Sequence, residues 1–484
     1  MGIIRATDRP PSVSGARSRA SGRAAVYAWC VPRVLPLLDR VRGRRVWARL
    51  QQLREHQWRS AEEVEAAAAA RLRELLAHAA RHVPYYRRLL GDAGIQPEAV
   101  RNLSDLARVP VTTRGPLQAA GFDQTTANNL PARRGWDILT SGSTRAPFRF
   151  RADLAAEDTR LATFMLGQEW AGVESWDAEV SVSNPFRGGN WMYPRPGPLD
   201  RLGRRVLLGR RSGELAVPRP TPEDFLRLVR ATAGRRSWYL RGFPSILALL
   251  GDQLLRAGTR LPTDPKVVIS GGESLTGVRR ATIAEAFSAV VVDRYACNEM
   301  AHVAQSCPAG AGGLHLLNDR IVVHLVDEEG RPVASGERGR MLLTDLENRV
   351  MPLINYDVGD VAVAGSACPC GRGLPVLAAV EGREADTVRL PSGDRISAYT
   401  LDACLRSACD AGTLREYQIV QTAVDRLRLS LVATPRFTAH DAERVRRGFE
   451  ALLGPEMAVE VAEVDEIEAG PSGKRSVVKA AGLA

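Results

Sequence analysis

Lysine is the scarcest chemistry in this sequence. Of 484 residues only Lys266, Lys474 and Lys479 are lysines, and the other 63 of the 66 basic residues are arginines. The two cations do not substitute freely, because guanidinium is a planar fork and ammonium a compact point charge on a mobile stem. Lys474 lies in Gly470-Pro471-Ser472-Gly473-Lys474, a turn suited to presenting an ammonium group. Chance explains Lys266 and Lys479 equally well, and Lys474 becomes informative only beside a second site. Cysteine is also sparse. Seven residues, an odd number clustered late, exclude a disulfide framework and fit a reducing, cytoplasmic setting. No uncharged apolar run reaches the ~18 residues of a membrane span, so none is predicted. The apolar stretch Ala24–Leu38 is broken by Arg33 and makes a poor signal-peptide core.

Acidic residues are nearly missing from the opening. Residues 1–50 hold eleven arginines against Asp8 and Asp39, so most of the net charge of +11 sits there. A nucleic-acid-binding protein is the reading from a different class, and the near-neutral body gives it little support. Residues 1–25 are rich in Arg, Ser, Ala, Pro and Gly and are expected to be disordered.

Patterning beyond that point predicts an α/β protein. Ser60-Ala61-Glu62-Glu63 reads as a capping box opening a helix to about His82. From about Trp136 short β-rich runs alternate with helical spacing. Strands are expected at 237–241, 266–270 and 289–294, with helices at 222–233, 245–257 and 274–287. Residues 320–327 and 339–345 read as an antiparallel pair. After Gly382, strict alternation at Leu427, Leu429 and Leu431 precedes a helix spaced by Ala442, Val445, Phe449 and Leu452, then a strand at 458–464. That pattern is a small α+β unit. The expected division is 1–25, a large unit at 26–382 with a helical lead-in at 26–110, and a mobile unit at 383–484.

Thr140-Ser141-Gly142-Ser143-Thr144-Arg145-Ala146-Pro147 is the strongest local signal. Its amides and hydroxyls can converge on phosphate oxygens, although taken alone it reads as a plain Ser/Gly turn sooner than as a nucleotide loop, and it lacks the Gly-Lys-Ser/Thr of a Walker loop. Ser270-Gly271-Gly272-Glu273 then ends one strand and Tyr295-Ala296-Cys297-Asn298-Glu299 the next. Asn355-Tyr356-Asp357-Val358-Gly359-Asp360, Glu381-Gly382-Arg383-Glu384-Ala385-Asp386 and Gly473-Lys474 follow. Taken singly, Tyr295 reads as packing, Asp360 as a turn former and Arg383 as a surface ion pair.

This ordered set resembles the adenylate-forming superfamily, and within it the phenylacetate–CoA ligase branch with its capsule-biosynthesis, CapK-like relatives. Gln57-Trp58-Arg59-Ser60, His78-Ala79-Ala80, Val83-Pro84-Tyr85-Tyr86-Arg87 and Leu106-Ala107-Arg108-Val109-Pro110 resemble the branch's opening. The resemblance covers about residues 50–480. It implies a carboxylic acid substrate activated by ATP as an acyl-adenylate, then passed to a thiol, most often coenzyme A. It further implies that Ser141, Gly142, Ser143 and Thr144 hold phosphates and Glu299 ligates Mg²⁺. Tyr295, Ala296, Cys297 and Asn298, with the Gly271, Gly272 and Glu273 turn, would receive adenine. Asp360 would take the ribose hydroxyls, Arg383 ribose or phosphate, and Lys474 would stabilise the charge of the transition state.

Departures from the branch pattern are Arg145 after the Ser-Thr, Ala296 and Asn298 before the glutamate, and Asn355 and Val358 before the ribose aspartate. They leave transfer to an amine or a carrier-protein thiol as an alternative to coenzyme A, and a homodimer also stays open. Cys307, His315, Cys368 and Cys370 form C-x7-H…C-x-C. In some members of the branch a similar set holds a structural zinc, which such ligands suit. The alternative is reduced cysteines in a Pro-Gly turn.

Overall fold

The computed structural model describes residues 33–34, 36–130, 135–139, 148–183, 212–217, 220–234, 237–310, 312–317, 319–383, 387–393, 395–410, 412–470 and 475–480. Residues 1–25, the loop with Ser141, Gly142, Ser143 and Thr144, the 384–386 segment and Lys474 lie outside the described residues.

Three helices occupy the described residues 46–92: α1 (Val46–His56), α2 (Ala61–His82) and α3 (Pro84–Asp92). The capping box is present, with Ser60 Oγ accepting from the Glu63 amide and the Glu63 carboxylate accepting from the Ser60 amide. Leu72, Leu75, Leu76 and Ala79 bury one stripe of α2 in a cluster shared with Val322 and Ile354. Pro84, whose fixed φ suits a first helical position, starts α3. A short helix α4 (Arg114–Ala120) follows, then the hairpin β1 (Gly135–Leu139) and β2 (Arg149–Asp153). Asp153 caps α5 (Leu154–Trp170) by accepting from the Ala156 amide.

Strands and helices then alternate: β3 (Ala178–Ser183), β4 (Ser212–Ala216), α6 (Pro222–Thr232), β5 (Trp238–Gly242), α7 (Pro244–Arg256), β6 (Val268–Gly271), α8 (Gly277–Phe287) and β7 (Val291–Cys297). The sheet continues through β8 (Ala301–Ser306), β9 (Leu314–Leu316), β10 (Ile321–Val326), β11 (Arg338–Asp345), β12 (Tyr356–Ala364) and β13 (Val376–Arg383). Among the described residues these make one eleven-stranded sheet, ordered β10-β11-β12-β13-β9-β8-β7-β6-β5-β3-β4. Pairings from β4 to β7 are parallel and those from β7 to β10 antiparallel. The parallel half buries Val180, Leu240, Val268, Ile246 and Phe287 between sheet and helices. Parallel strands need such cover on their faces.

Beyond β14 (Thr387–Arg389) and β15 (Arg395–Ser397) come α9 (Ala398–Ala408), β16 (Leu414–Ala423), β17 (Arg426–Ala433), α10 (Ala439–Leu453), β18 (Ala458–Glu463) and β19 (Val478–Ala480). The last four strands form a separate sheet, β18-β17-β16-β19. Leu427, Leu429 and Leu431 face its core, packed with Leu401, Leu405, Val445 and Phe449 of the two helices. Val278 of α8 belongs to the same cluster, so the small unit rests on that helix. The expected elements are present within a few residues. The helix expected from 274 starts at Gly277, because Thr276 is its N-cap and accepts from the Arg279 amide.

Candidate functional site

Strand β6 ends at Gly271, and two local features shape the turn that follows. A side chain at Gly271 would come within 2.5 Å of the Arg294 carbonyl. Gly272 has φ +87°, in the left-handed region, and a β-carbon there would meet the Phe243 ring at 2.6 Å. Glycine is therefore required by both backbone and neighbour. Glu273 turns its carboxylate toward α7, where Oε2 accepts from the Ser245 amide at 3.1 Å.

Tyr295, Ala296 and Cys297 close β7, and the β7–β8 connection carries Asn298, Glu299 and Met300. Arg160 from α5 fixes that connection by donating from Nη2 to the Glu299 carbonyl at 2.5 Å. Its Nη1 is held by Glu157 at 3.2 Å. Asp360 sits directly across β12–β13 from Arg383, with the guanidinium 3.9 Å from the carboxylate. The Tyr295 hydroxyl donates to Asp360 Oδ2 at 2.5 Å, and the Tyr356 hydroxyl donates to Glu299 Oε1 at 3.4 Å. Gly271, Tyr295, Glu299, Asp360 and Arg383, remote in sequence, thus converge beyond the carboxyl ends of β6 and β7. Open α/β sheets place ligands outside the carboxyl ends of their strands, and here the pairing also turns from parallel to antiparallel at β7.

The electrostatics are those of an unfinished anionic site. Burial pushes the Glu299 carboxyl up, and the nearby Asp360 charge pushes it further, against Arg383. Burial and the Asp360 charge also hold the Tyr295 phenol well above its ordinary value. The Cys297 thiol is raised by burial, then by Glu299 and Asp360. Two carboxylates kept close at a partly buried position favour a cation between them and the phosphates it would accompany.

Sequence reasoning missed Arg114. Among the described residues its Nη2 is buried without a hydrogen-bond partner, while Nε donates to Gln118 at 3.3 Å. Its charge reaches the Tyr356 phenol, which bonds Glu299. No motif contains it; Thr112, two residues before, bonds the backbone of Asn355 and Asp357, and Leu117 of α4 packs in the cluster with Tyr356. Asn355 proves to be a structural residue. It is buried with φ +49°, and Nδ2 donates to the Val109 and Leu106 carbonyls at 2.7 and 3.3 Å. Asparagine tolerates this backbone region well. Its departure from the branch pattern therefore ties the lead-in to the sheet instead of altering a ligand contact.

Cys307, His315, Cys368 and Cys370 also meet, their ligand atoms all within 4.8 Å of one another. The Cys307 and Cys368 sulfurs are 3.6 Å apart, and Cys370 Sγ is 3.3 Å from His315 Nε2. Tetrahedral zinc with Zn–S bonds of about 2.3 Å sets sulfurs about 3.8 Å apart, so the spacing fits. His315 Nδ1 lies 3.2 Å from the Leu374 carbonyl. Donation there leaves Nε2 with its lone pair toward the cluster, the usual arrangement of a ligating histidine.

The Gln57-Trp58-Arg59-Ser60 motif docks this cluster's loop. Gln57 Oε1 accepts from Arg372 Nε at 2.9 Å and Trp170 Nε1 at 3.0 Å. Arg372 lies 4.5 Å from the Trp58 ring and 4.8 Å from the Trp170 ring. A β-carbon on Gly373 would collide with the Arg59 carbonyl.

Comparison with known proteins places this geometry. Residues 389–481 match the CapK C-terminal domain. The phenylacetate–coenzyme A ligase of Thermus thermophilus is 24% identical over 339 residues, 67% of this chain and 71% of that enzyme. The Escherichia coli enzyme of that name is 25% identical over 319 residues, 62% of this chain and 67% of that one. A crystal structure of 2-hydroxyisobutyryl-CoA ligase in the postadenylation state superposes with a TM-score of 0.67 at 23% identity, covering 88% of this chain and 91% of that one. The same ligase in its thioesterification state gives 0.54. Among the described residues, no helix is long and apolar enough to cross a membrane. The chain is thus similar to phenylacetate–coenzyme A ligases over about two thirds of its length, shares the fold of that 2-hydroxyisobutyryl-CoA ligase, and matches the CapK C-terminal domain over residues 389–481.

Proposed function

We propose that this protein activates a carboxylic acid with ATP as an acyl-adenylate, releasing pyrophosphate, and passes the acyl group to the thiol of coenzyme A. The observation that carries the reading is the meeting of the Gly271–Glu273 turn, Tyr295, Glu299, Asp360 and Arg383 at one sheet edge. Asp360 takes the ribose hydroxyls, for which two carboxylate oxygens are suited, and Arg383 stands beside it for ribose or phosphate. The Tyr295 ring and the turn backbone bracket adenine. Glu299 holds Mg²⁺, which supplies charge neutralisation on the phosphates when bound. Ser141, Ser143 and Thr144 grip the outer phosphates, and Lys474 bridges the attacking carboxylate and the α-phosphate. The smaller unit, from 383 onward, pivots between the two half-reactions, as hinged units do in other enzymes. Better superposition on the postadenylation than on the thioesterification state of one neighbour supports the adenylation arrangement here. Zinc at Cys307, His315, Cys368 and Cys370 is structural, since four protein ligands leave no open position.

Pyrophosphate release is the test. A panel of carboxylic acids, weighted to aryl and arylacetic acids, is supplied with ATP and Mg²⁺, then with coenzyme A. At least one acid is expected to release pyrophosphate and then form a thioester. No release with any acid would overturn the reading, and release followed by transfer only to an amine or carrier protein would move the acceptor.

Arg114 adds a phosphate contact on this reading. A hydrogen bond to a charged group contributes about 1.5–3 kcal/mol. Arg114→Ala is therefore expected to raise KM for ATP about 10- to 100-fold, with a smaller change in kcat. A rise confined to the KM of the acid would reassign Arg114 to the carboxylate.

A further inference from the structure

Arg279, on α8 six residues past the Glu273 end of the adenine turn, is 1% exposed and spans the seam between the two units. Within its own unit, Nη1 donates to the Ser274 carbonyl at 3.2 Å, immediately after the turn. Across the seam, Nε donates to Glu416 Oε2 on β16 at 2.8 Å, and Nη2 donates to the Arg475 carbonyl at 2.7 Å. Arg475 follows Lys474 in the chain and is itself buried, donating from Nε to the Ile467 carbonyl at 2.8 Å. Other ion pairs cross the same seam nearer to solvent, such as Arg415 with Glu285 at 2.5 Å. Among the described residues, Arg279 is the one of them bonded both to the residue that follows the turn and to the residue beside Lys474.

We infer that Arg279 is a positioning residue for adenylation, fixing the chain next to Lys474 against the turn that receives adenine, and that it must release Glu416 and the Arg475 carbonyl before acyl transfer. The inference rests on the proposed ligase reading. Burying an arginine is costly unless it stays paired, so the release needs a second partner. Glu273 supplies one. Its Oε2 is already 3.9 Å from Arg279 Nη1, and its Oε1 is buried with no hydrogen-bond partner among the described residues. Arg279 can thus exchange a carboxylate of the smaller unit for one of its own.

The half-reactions separate this role from simple stabilisation. Arg279→Gln is assayed for pyrophosphate release with the acid selected by the panel, and for thioester formation from that acid's synthetic adenylate and coenzyme A. Adenylation is expected to fall about 10- to 100-fold, the scale of a misplacement near 1 Å, while transfer from the supplied adenylate stays within about twofold. Glu416→Gln keeps the side-chain size and is expected to give the same split, so it decides the question if Arg279→Gln does not fold. Equal loss in both half-reactions, or no loss in the first, overturns the inference. Lys474→Ala run in parallel locates the failure. If Lys474→Ala still adenylates, the reading beneath falls. If it does not adenylate while Arg279→Gln and Glu416→Gln do, only the positioning role falls.

Discussion

Lys474→Ala is expected to abolish adenylate formation while leaving a folded protein that still makes thioester from a supplied acyl-adenylate. On the proposed mechanism Lys474 meets charge that peaks as the acid's carboxylate attacks the α-phosphate, so its contribution belongs to the transition state and appears in kcat. Removing one preorganised donor of this kind costs about 10²- to 10³-fold. Lys474→Arg is expected to recover little of that. The chain uses arginine at 63 of its 66 basic positions, and a planar fork cannot reproduce a point charge between two oxygens. Folding is expected to survive, because the adjacent anchors are Arg475 and Val477, both buried. ATP–pyrophosphate exchange at the wild-type rate in Lys474→Ala would remove lysine from the mechanism.

What the sequence disclosed of this fold is mostly local. The Ser60 capping box and the alternation of Leu427, Leu429 and Leu431 each depend on residues a few positions apart, and both are present as read. The order of the large sheet is different in kind. β9 lies between β8 and β13, a pairing of Leu314 with Leu377 that no periodicity records. Its three residues are too short to carry a pattern. The candidate site divides in the same way. Tyr295, Glu299 and Asp360 were legible because they stand in ordered motifs, and the β12–β13 register then sets Asp360 beside Arg383.

Arg114, Arg160 and Arg279 were not legible. In a chain where arginine is the ordinary cation, nothing local separates a buried, structurally committed guanidinium from a solvated one. Asn355 shows the converse. Its departure from the branch pattern reads as bearing on the acyl acceptor, but its left-handed backbone and its bonds to Val109 and Leu106 make it a stitch between the lead-in and the sheet.

The same stitching gives the metal cluster its expected leverage on stability. Metal analysis of the purified protein is expected to find about one zinc per chain, and Cys370→Ser to lose it. Without zinc the site leaves three thiols and an imidazole facing one another, where burial raises the Cys368 thiol to about 11 and lowers the His315 imidazole. Such groups are poorly matched as hydrogen-bond partners, whereas zinc binding to them contributes directly to folding free energy. Loss of a structural metal belongs with the largest single-site effects, about 4 kcal/mol or more. The consequence should spread through Arg372 to Gln57, Trp58 and Trp170, because the cluster's loop carries that arginine. Tryptophan emission is therefore expected to shift to the red on chelation, together with a fall in Tm. The candidate site lies along the same β12–β13 pair but away from that loop, where Asp360 faces Arg383, so pyrophosphate release at low temperature should outlast that shift. A Cys370→Ser protein with unchanged metal content, Tm and emission would return the four residues to ordinary reduced side chains.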